Sequence, residues 1–382
     1  MTELATMNPT LHLLGIPHTV TRPEYSHCAY TGKVLRFAPM MRSVGYQVIH
    51  YGVAGAASGA DAQVDVMTRS EQEALIGRHD PRAPDFIGDG ADTGSPLYLT
   101  FNQRLGEVLK ARVRPSDGIC LPFGHAHQAA LADPFFAPIA QIETGIGYPT
   151  TIARFRIFES EAWYHWHLGR DQRHGDDYNW VIPNYFDSRE WAFAPGPGEY
   201  ALYFGRICDI KGLPIVVEMA RARPDLRFVI CGQGDPHGYL TTHNIEYHAP
   251  VYGSQRSDLI GGAMAVVMPT RYVEPFGGVA VEAQLCGVPV LGSAFGSFTE
   301  TIRHGVTGFR CRTLGDWLAG LSRAPELDRA TIRRLAVERY DMFRLAHAYD
   351  AVFQQIRDLY AEGWYAKRSL IWQMPLAVAA GG

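Results

Sequence analysis

Lysine is scarce in this chain: only four of its 35 cationic residues are lysines, Lys33, Lys110, Lys211 and Lys367. A surplus of either charge sign is missing too, since 39 acidic residues bring the net charge to −4. Neither half is basic, which removes a general electrostatic footprint for nucleic acid or an anionic membrane, although a local groove for a nucleic-acid acceptor is not excluded. The six cysteines form no CxxC pair, which argues against a zinc ribbon and a disulfide framework and for a reducing, cytoplasmic setting. No apolar run reaches about 18 residues, and the N-terminus has no basic segment followed by an apolar one, so neither a transmembrane helix nor a signal peptide is expected.

Hydrophobic residues make up 47% of the 382 and charged residues 19%, the balance of a folded globular protein rather than a disordered one. At roughly 100–200 residues per domain, this length asks for two cores. Apolar periodicity predicts strands at 11–16, 46–51, 64–67, 118–123, 139–142, 155–158 and 179–182, with helical patterns between several of them. The alternation pauses at 184–199, where Pro195-Gly196-Pro197-Gly198 reads as a linker. It resumes with strands at 200–204, 227–231, 245–248, 265–268 and 288–291, and helices at 213–221, 257–263 and 279–285. Strands alternating with helices predict parallel, doubly wound α/β sheets. The chain then turns helical from about 330 to 362 and ends in an aromatic tail with Trp364 and Trp372.

Two segments carry chemistry. In 203–235 a strand runs into Gly205-Arg206, Lys211 follows at the head of a helix, and the next strand ends in Gly232-Gln233-Gly234. An open α/β sheet binds ligands at the carboxyl ends of its strands. There Arg206 suits bidentate and Lys211 point-charge binding of a diphosphate, and glycines let the backbone approach. In 274–291, Glu274 precedes a helix opened by Gly277-Gly278, and Glu282 lies inside that helix. The unpaired N–H groups of such a helix start favour phosphate oxygens, Glu282 suits ribose hydroxyls and Glu274 the hydroxyls of a sugar.

The Gly205-Arg206…Lys211 turn, the glutamates Glu274 and Glu282 with Phe276-Gly277-Gly278 between them, and HGVTGFRC at 304–311 together resemble the retaining GT-B glycosyltransferases of the group 1, or GT4-like, family. The likeness is closest over 200–311. It implies two Rossmann-like domains facing across a cleft: 1–190 on the acceptor side, 198–360 holding the donor, and a tail at 361–382 returning to the first domain. It also implies that Arg206 and Lys211 hold the donor diphosphate, that Glu274 contacts the donor sugar, and that Phe276, Gly277, Gly278 and Val279 line it. Glu282 would meet the ribose, while Val251, through its backbone, and Arg256 would flank the nucleobase. In the first half, Gly32 in Tyr30-Thr31-Gly32-Lys33 resembles the family's glycine loop, and His125 in Gly124-His125-Ala126-His127 its histidine-bearing loop. Glu143 stands where the family carries an active-site histidine and is expected to face the anomeric centre. Glu159 and Glu161 read as helix-start charges.

No metal site is expected. On a helix, His165 and His167 diverge by about 200°, and His125 with His127 lacks a third ligand at standard spacing. The expected function is transfer of a sugar from a UDP- or GDP-sugar, as co-substrate and without a bound cofactor, to a hydroxyl of an unidentified acceptor, independently of metal. A nucleotide-sugar epimerase or phosphorylase on the same scaffold, or a non-catalytic nucleotide-sugar or glycan binder, stays open.

Overall fold

A computed structural model describes residues 9–26, 28–78, 80 and 92–362. The first half contains strands β1 (Thr10–Leu14), β2 (Gln47–Val53), β3 (Ala62–Met67), β4 (Gly118–Leu121), β5 (Ala140–Ile146), β6 (Phe155–Phe158) and β7 (Asn179–Val181). The second contains β8 (Tyr200–Phe204), β9 (Arg227–Cys231), β10 (Ile245–His248), β11 (Ala263–Met268), β12 (Val290–Ser293) and β13 (Gly308–Cys311). The sheet orders are β3-β2-β1-β4-β5-β6-β7 and β10-β9-β8-β11-β12-β13, and the strand pairs within both are parallel. Each sheet therefore reverses its winding beside its first strand, at β1/β4 and at β8/β11, where a ligand crevice forms. β13 lies within the motif at 304–311 and had no strand reading of its own. Its four residues are too few to show a period.

The first half also holds helices α1 (Ala29–Arg42), α2 (Arg69–Ile76), α3 (Pro96–Lys110) and α4 (Glu161–Arg170). The second holds α5 (Leu213–Ala222), α6 (Gly253–Gly261), α7 (Gly278–Leu285), α8 (Phe298–Thr301), α9 (Leu314–Arg323), α10 (Arg329–Tyr340) and α11 (Met342–Glu362). Among the described residues no helix is long and apolar enough to cross a membrane.

The chain returns to the first domain earlier than the expected boundary. Met342, Ala346, Tyr349, Val352, Phe353 and Ile356 of α11 are buried with Val34, Phe37 and Met41 of α1 in the core beneath the first sheet. Burying Tyr349 or Phe353 there contributes roughly 1.5–3 kcal/mol each, enough to hold the helix on this domain. The tail at 363–382 lies outside the described residues. The two crossings run side by side: the Phe186 N–H donates to Tyr340 O and the Met342 N–H to Phe186 O, at 2.9 and 2.8 Å, and Ser188 Oγ donates to Asp341 at 2.6 Å.

A second junction lies across the cleft, at the N-terminus of α4. Ser160 accepts the Trp163 N–H and donates to Pro275 O of the second domain at 2.6 Å. The first two N–H groups of the helix, from Glu161 and Ala162, donate to the Glu300 carboxylate of α8 at 3.0 and 2.8 Å. An acidic side chain of one domain thus caps a helix of the other, where unpaired donors and the positive dipole end favour it.

Glu143 is not at the cleft. β5 continues past Ile142 to Ile146, so Glu143 is a mid-strand residue paired with Leu121 and Arg156 of its neighbours. It is 0% exposed, and its carboxylate accepts from the Tyr148 hydroxyl and from the Ile152 and Ala153 N–H groups. It ties a loop to the sheet, and an acceptor has no access to it. His125 also misses the cleft: its short 3-10 turn sets the ring against Phe123 and Tyr148, with centroids 4.3 and 5.5 Å away, and burial lowers its pKa.

Burial raises the Glu143 pKa from its ordinary 4.5 to about 7, against the opposing pull of its hydrogen bonds. Between those two values the folded chain holds the proton more tightly than the unfolded chain, so stability falls as pH rises through that window. Glu143→Gln, neutral throughout, gains on the native protein as pH goes from 5 to 8 in parallel thermal melts; an offset independent of pH contradicts this reading. Glu300→Ala leaves the α4 donors uncapped, costs about 1 kcal/mol and lets the domains part. Melting and small-angle scattering should show a lower midpoint and a larger radius of gyration, and no change in either rejects the junction.

Candidate active site between the two sheets

The loops that leave β8 and β11 meet at the switch point of the second sheet. Gly212, at φ 86°, caps α5, and a Cβ there would stand 1.9 Å from Pro269 O, so only glycine lets the Lys211 turn press against the loop after β11. Lys211 Nζ lies 2.8 Å from Glu274 Oε2 and 4.8 Å from the Tyr272 ring centre. Burial and the neighbouring Glu274 push the pKa of the Tyr272 hydroxyl up, and Arg206 opposes that. Gly277, at φ 75°, caps α7, and a Cβ on it would meet the Phe298 ring at 2.6 Å. One turn into α7, buried Glu282 accepts from Arg256 of α6, with Nε at 3.0 Å. The Arg256 guanidinium lies 4.6 Å over the Phe204 ring.

The opposite wall comes from α1 and the strand ends of the first sheet. Lys33, 3% exposed, donates to Gly145 O at 2.7 Å and sits 2.5 Å from Glu159 Oε1. Arg36 donates to Tyr185 O at 2.9 Å and lies 4.7 Å over the Phe186 ring. Burial pulls the Arg36 pKa down, and Glu282 and Glu190 oppose that.

These walls enclose a cavity of about 310 Å³. Arg206, Lys211, Arg256, Glu274, Phe276, Gly277, Gly278, Val279 and Glu282 line it from the second domain, and Lys33, Arg36 and Glu159 from the first. A wider cavity of about 1140 Å³ joins it along Ser26, Arg36, Arg256 and Glu282 and takes in Gly32, Pro250 and Tyr252. The Val251 side chain turns to the core while its two neighbours line this second space. Glu143 and His125 line neither. Gly232 and Gly234 serve loop packing rather than a ligand: a Cβ on them would meet Gly205 O at 1.8 Å and Ile207 O at 2.8 Å.

Glu159 was read as a helix-start charge and is instead a buried ion-pair partner on the cavity wall. Its position after an apolar strand, at the carboxyl edge of the sheet, is the signal that marks it. Tyr272 and Arg36 were also missed; nothing in their spacing distinguishes them from surface residues. Among the described residues no three His, Cys, Asp or Glu side chains gather to hold a metal ion.

Comparison with known proteins agrees with this geometry. Residues 187–317 match the family Glycosyl transferases group 1. A D-inositol 3-phosphate glycosyltransferase of Mycobacterium sp. (strain KMS) is 36% identical over 155 residues, 36% of this chain and 34% of that protein. The corresponding protein of Mycolicibacterium smegmatis is 27% identical over 194 residues, 47% of this chain and 44% of the relative. The chain thus spans about a third of the length of the first of these relatives. Among solved structures, a glycosyltransferase involved in avilamycin A biosynthesis superposes with TM-score 0.65 at 18% identity, over 92% of this chain and 98% of that one. Anabaena HepE in complex with UDP-glucose superposes with TM-score 0.65 at 14% identity, over 91% of this chain and 99% of that one. This chain has the GT-B fold of two Rossmann-like domains, and residues 187–317 in its second domain match the glycosyl transferases group 1 family.

Proposed function

We propose that the chain is a glycosyltransferase that takes a sugar from a nucleoside-diphosphate sugar, with retention at the anomeric carbon, and passes it to an acceptor hydroxyl. One observation carries this reading: five cationic side chains, Lys33, Arg36, Arg206, Lys211 and Arg256, and three carboxylates, Glu159, Glu274 and Glu282, line one cavity at the start of α7. The surplus of two positive charges matches a diphosphate. The named activity of the relatives supports transfer, and the complexes of Anabaena HepE with UDP and glucose and with UDP-glucose support a UDP-sugar donor. Retention is supported by the likeness of the Glu274–Glu282 segment to retaining enzymes.

In this reading the donor displaces partners already in place. Arg206 and Lys211 turn to the phosphates, Lys211 leaving Glu274, the N–H groups opening α7 add theirs, and Glu274 is released to accept from the sugar hydroxyls. Glu282 accepts from the ribose in the same way. As the bond from the anomeric carbon to the diphosphate breaks, its electron pair leaves on phosphate oxygen, and the fixed cations and the α7 dipole stabilise that charge. This arrangement does electrostatically what a divalent ion does elsewhere, so the reading includes metal-independent transfer.

A thermal-shift screen of UDP- and GDP-sugars, followed by mass spectrometry of products, tests the function. The expected result is stabilisation by one donor class and a glycosylated product whose yield is unchanged by a chelator. Lys211→Ala should weaken donor binding at least tenfold and lower turnover roughly 10²-fold or more. Normal turnover in that variant, or activity lost to chelator and restored by Mg²⁺ or Mn²⁺, contradicts the reading. Interconversion of nucleotide sugars without an acceptor would make the chain an epimerase.

A further inference from the structure

We propose that Tyr30 is a catalytic residue whose hydroxyl donates a hydrogen bond to the departing diphosphate; the proposal rests on the glycosyl-transfer reading above for its ligand. Tyr30 is the second residue of α1, the helix that comes after β1, and Phe123 lies just past the end of β4. The two rings therefore meet at the β1/β4 switch point, where the first sheet opens its crevice. They stack with centroids 3.9 Å apart and planes 14° from parallel, and Tyr148 meets Tyr30 edge-on at 6.1 Å. Phe123 and Tyr148 are themselves buried, so fixed neighbours hold the Tyr30 ring.

The hydroxyl end of the side chain is differently placed. Tyr30 lines the cavity of about 310 Å³. Among the described residues its hydroxyl has no hydrogen-bond partner, and it is not one of the fully enclosed polar atoms. Burial raises the pKa of the phenol, Cys28 and Glu159 of the first domain add to that, and Arg206 of the second domain opposes it. The hydroxyl is thus within electrostatic reach of a carboxylate on its own wall and of a guanidinium on the other. In the reading above the phosphates sit at Arg206 and Lys211, so this hydroxyl meets the diphosphate from the side opposite those two cations.

A neutral donor suits that position. With its pKa raised, the phenol stays protonated through the neutral range and donates rather than ionises. As the bond from the anomeric carbon to the diphosphate breaks, the electron pair departs on phosphate oxygen, and the hydrogen bond from Tyr30 strengthens onto an oxygen that has gained charge. Tyr30 gives up no proton in this step. With retention, the acceptor oxygen bonds to the anomeric carbon on the face that the diphosphate leaves, and the acceptor proton passes to the departing phosphate. A protonated phenol beside that phosphate does not compete for the proton.

The competing reading is that Tyr30 only packs against Phe123. Tyr30→Phe separates the two, because it keeps the ring and removes the hydroxyl alone. Native and variant proteins are titrated by calorimetry with UMP and UDP and with GMP and GDP, thermal melting accompanies them, and release of diphosphate from UDP-glucose and GDP-mannose is measured with glycerol as acceptor. The diphosphate that the native protein binds should be held roughly tenfold or more weaker by Tyr30→Phe, the scale of one hydrogen bond to a charged group, with the monophosphate within about twofold. In turnover, kcat should fall tenfold or more while the donor KM stays within about threefold, because the intact donor carries less charge on the phosphate that departs. Unchanged diphosphate affinity in Tyr30→Phe, equal weakening of monophosphate and diphosphate, or a native kcat overturns the proposal alone. A native protein that binds neither diphosphate, or releases none from either donor, overturns the glycosyl-transfer reading with these donors and this proposal with it.

Discussion

The rest of the structure depends on how buried charge is balanced in one narrow gap. Three ion pairs, Lys33–Glu159, Lys211–Glu274 and Arg256–Glu282, sit where the carboxyl edges of the two sheets approach each other. Ions taken out of water recover their solvation only when pairing is close and further polar partners are present. Here such a partner is the Gly145 carbonyl for Lys33, and the Tyr272 ring lies 4.8 Å from Lys211 Nζ. The five cations that line the cavity exceed its three carboxylates by two. Arg36 leans on the Tyr185 carbonyl and the Phe186 ring. The site is therefore electrostatically short of two negative charges.

The fold supplies this gap by repetition. Each sheet winds away from its first strand in both directions, so each has one crevice, and the domains are set with the crevices opposed. Where the chain crosses between domains, Phe186 is bonded to both sides of the Asp341 crossing. Across the cleft, Ser160 and Glu300 close the gap from the other end. The contacts that close the domains are one residue away from carboxylates that line the cavity: Ser160 follows Glu159 and Pro275 follows Glu274.

Much of this was legible before the structure. The doubly wound sheets follow from the alternation of apolar strand and helix patterns, and the gathering of Arg206, Lys211, Glu274 and Glu282 on one cavity wall from spacing within single strand–loop–helix units, whose geometry is local. Gly205 to Lys211 and Glu274 to Glu282 each lie in one such unit, so their spacing carries their position. The first domain was harder for the same reason. Glu143 was placed at a strand end because β5 reads as finishing at Ile142, but a glycine bulge carries it on to Ile146 and leaves Glu143 in mid-sheet. Glu159 looked like an ordinary helix-start charge because its partner, Lys33, lies 126 positions away in sequence. The apolar face of α11 was visible as a periodicity, but nothing in a periodicity says which of two cores it will join.

The most direct test of the account is a crystal structure of the chain with UDP and, separately, with a UDP-sugar. The account predicts phosphates within hydrogen-bonding distance of Arg206, Lys211 and the N–H groups at the start of α7, the Lys211–Glu274 pair parted, and the sugar between Glu274 and Glu159. A diphosphate bound elsewhere, or bound with the Lys211–Glu274 pair intact, contradicts it.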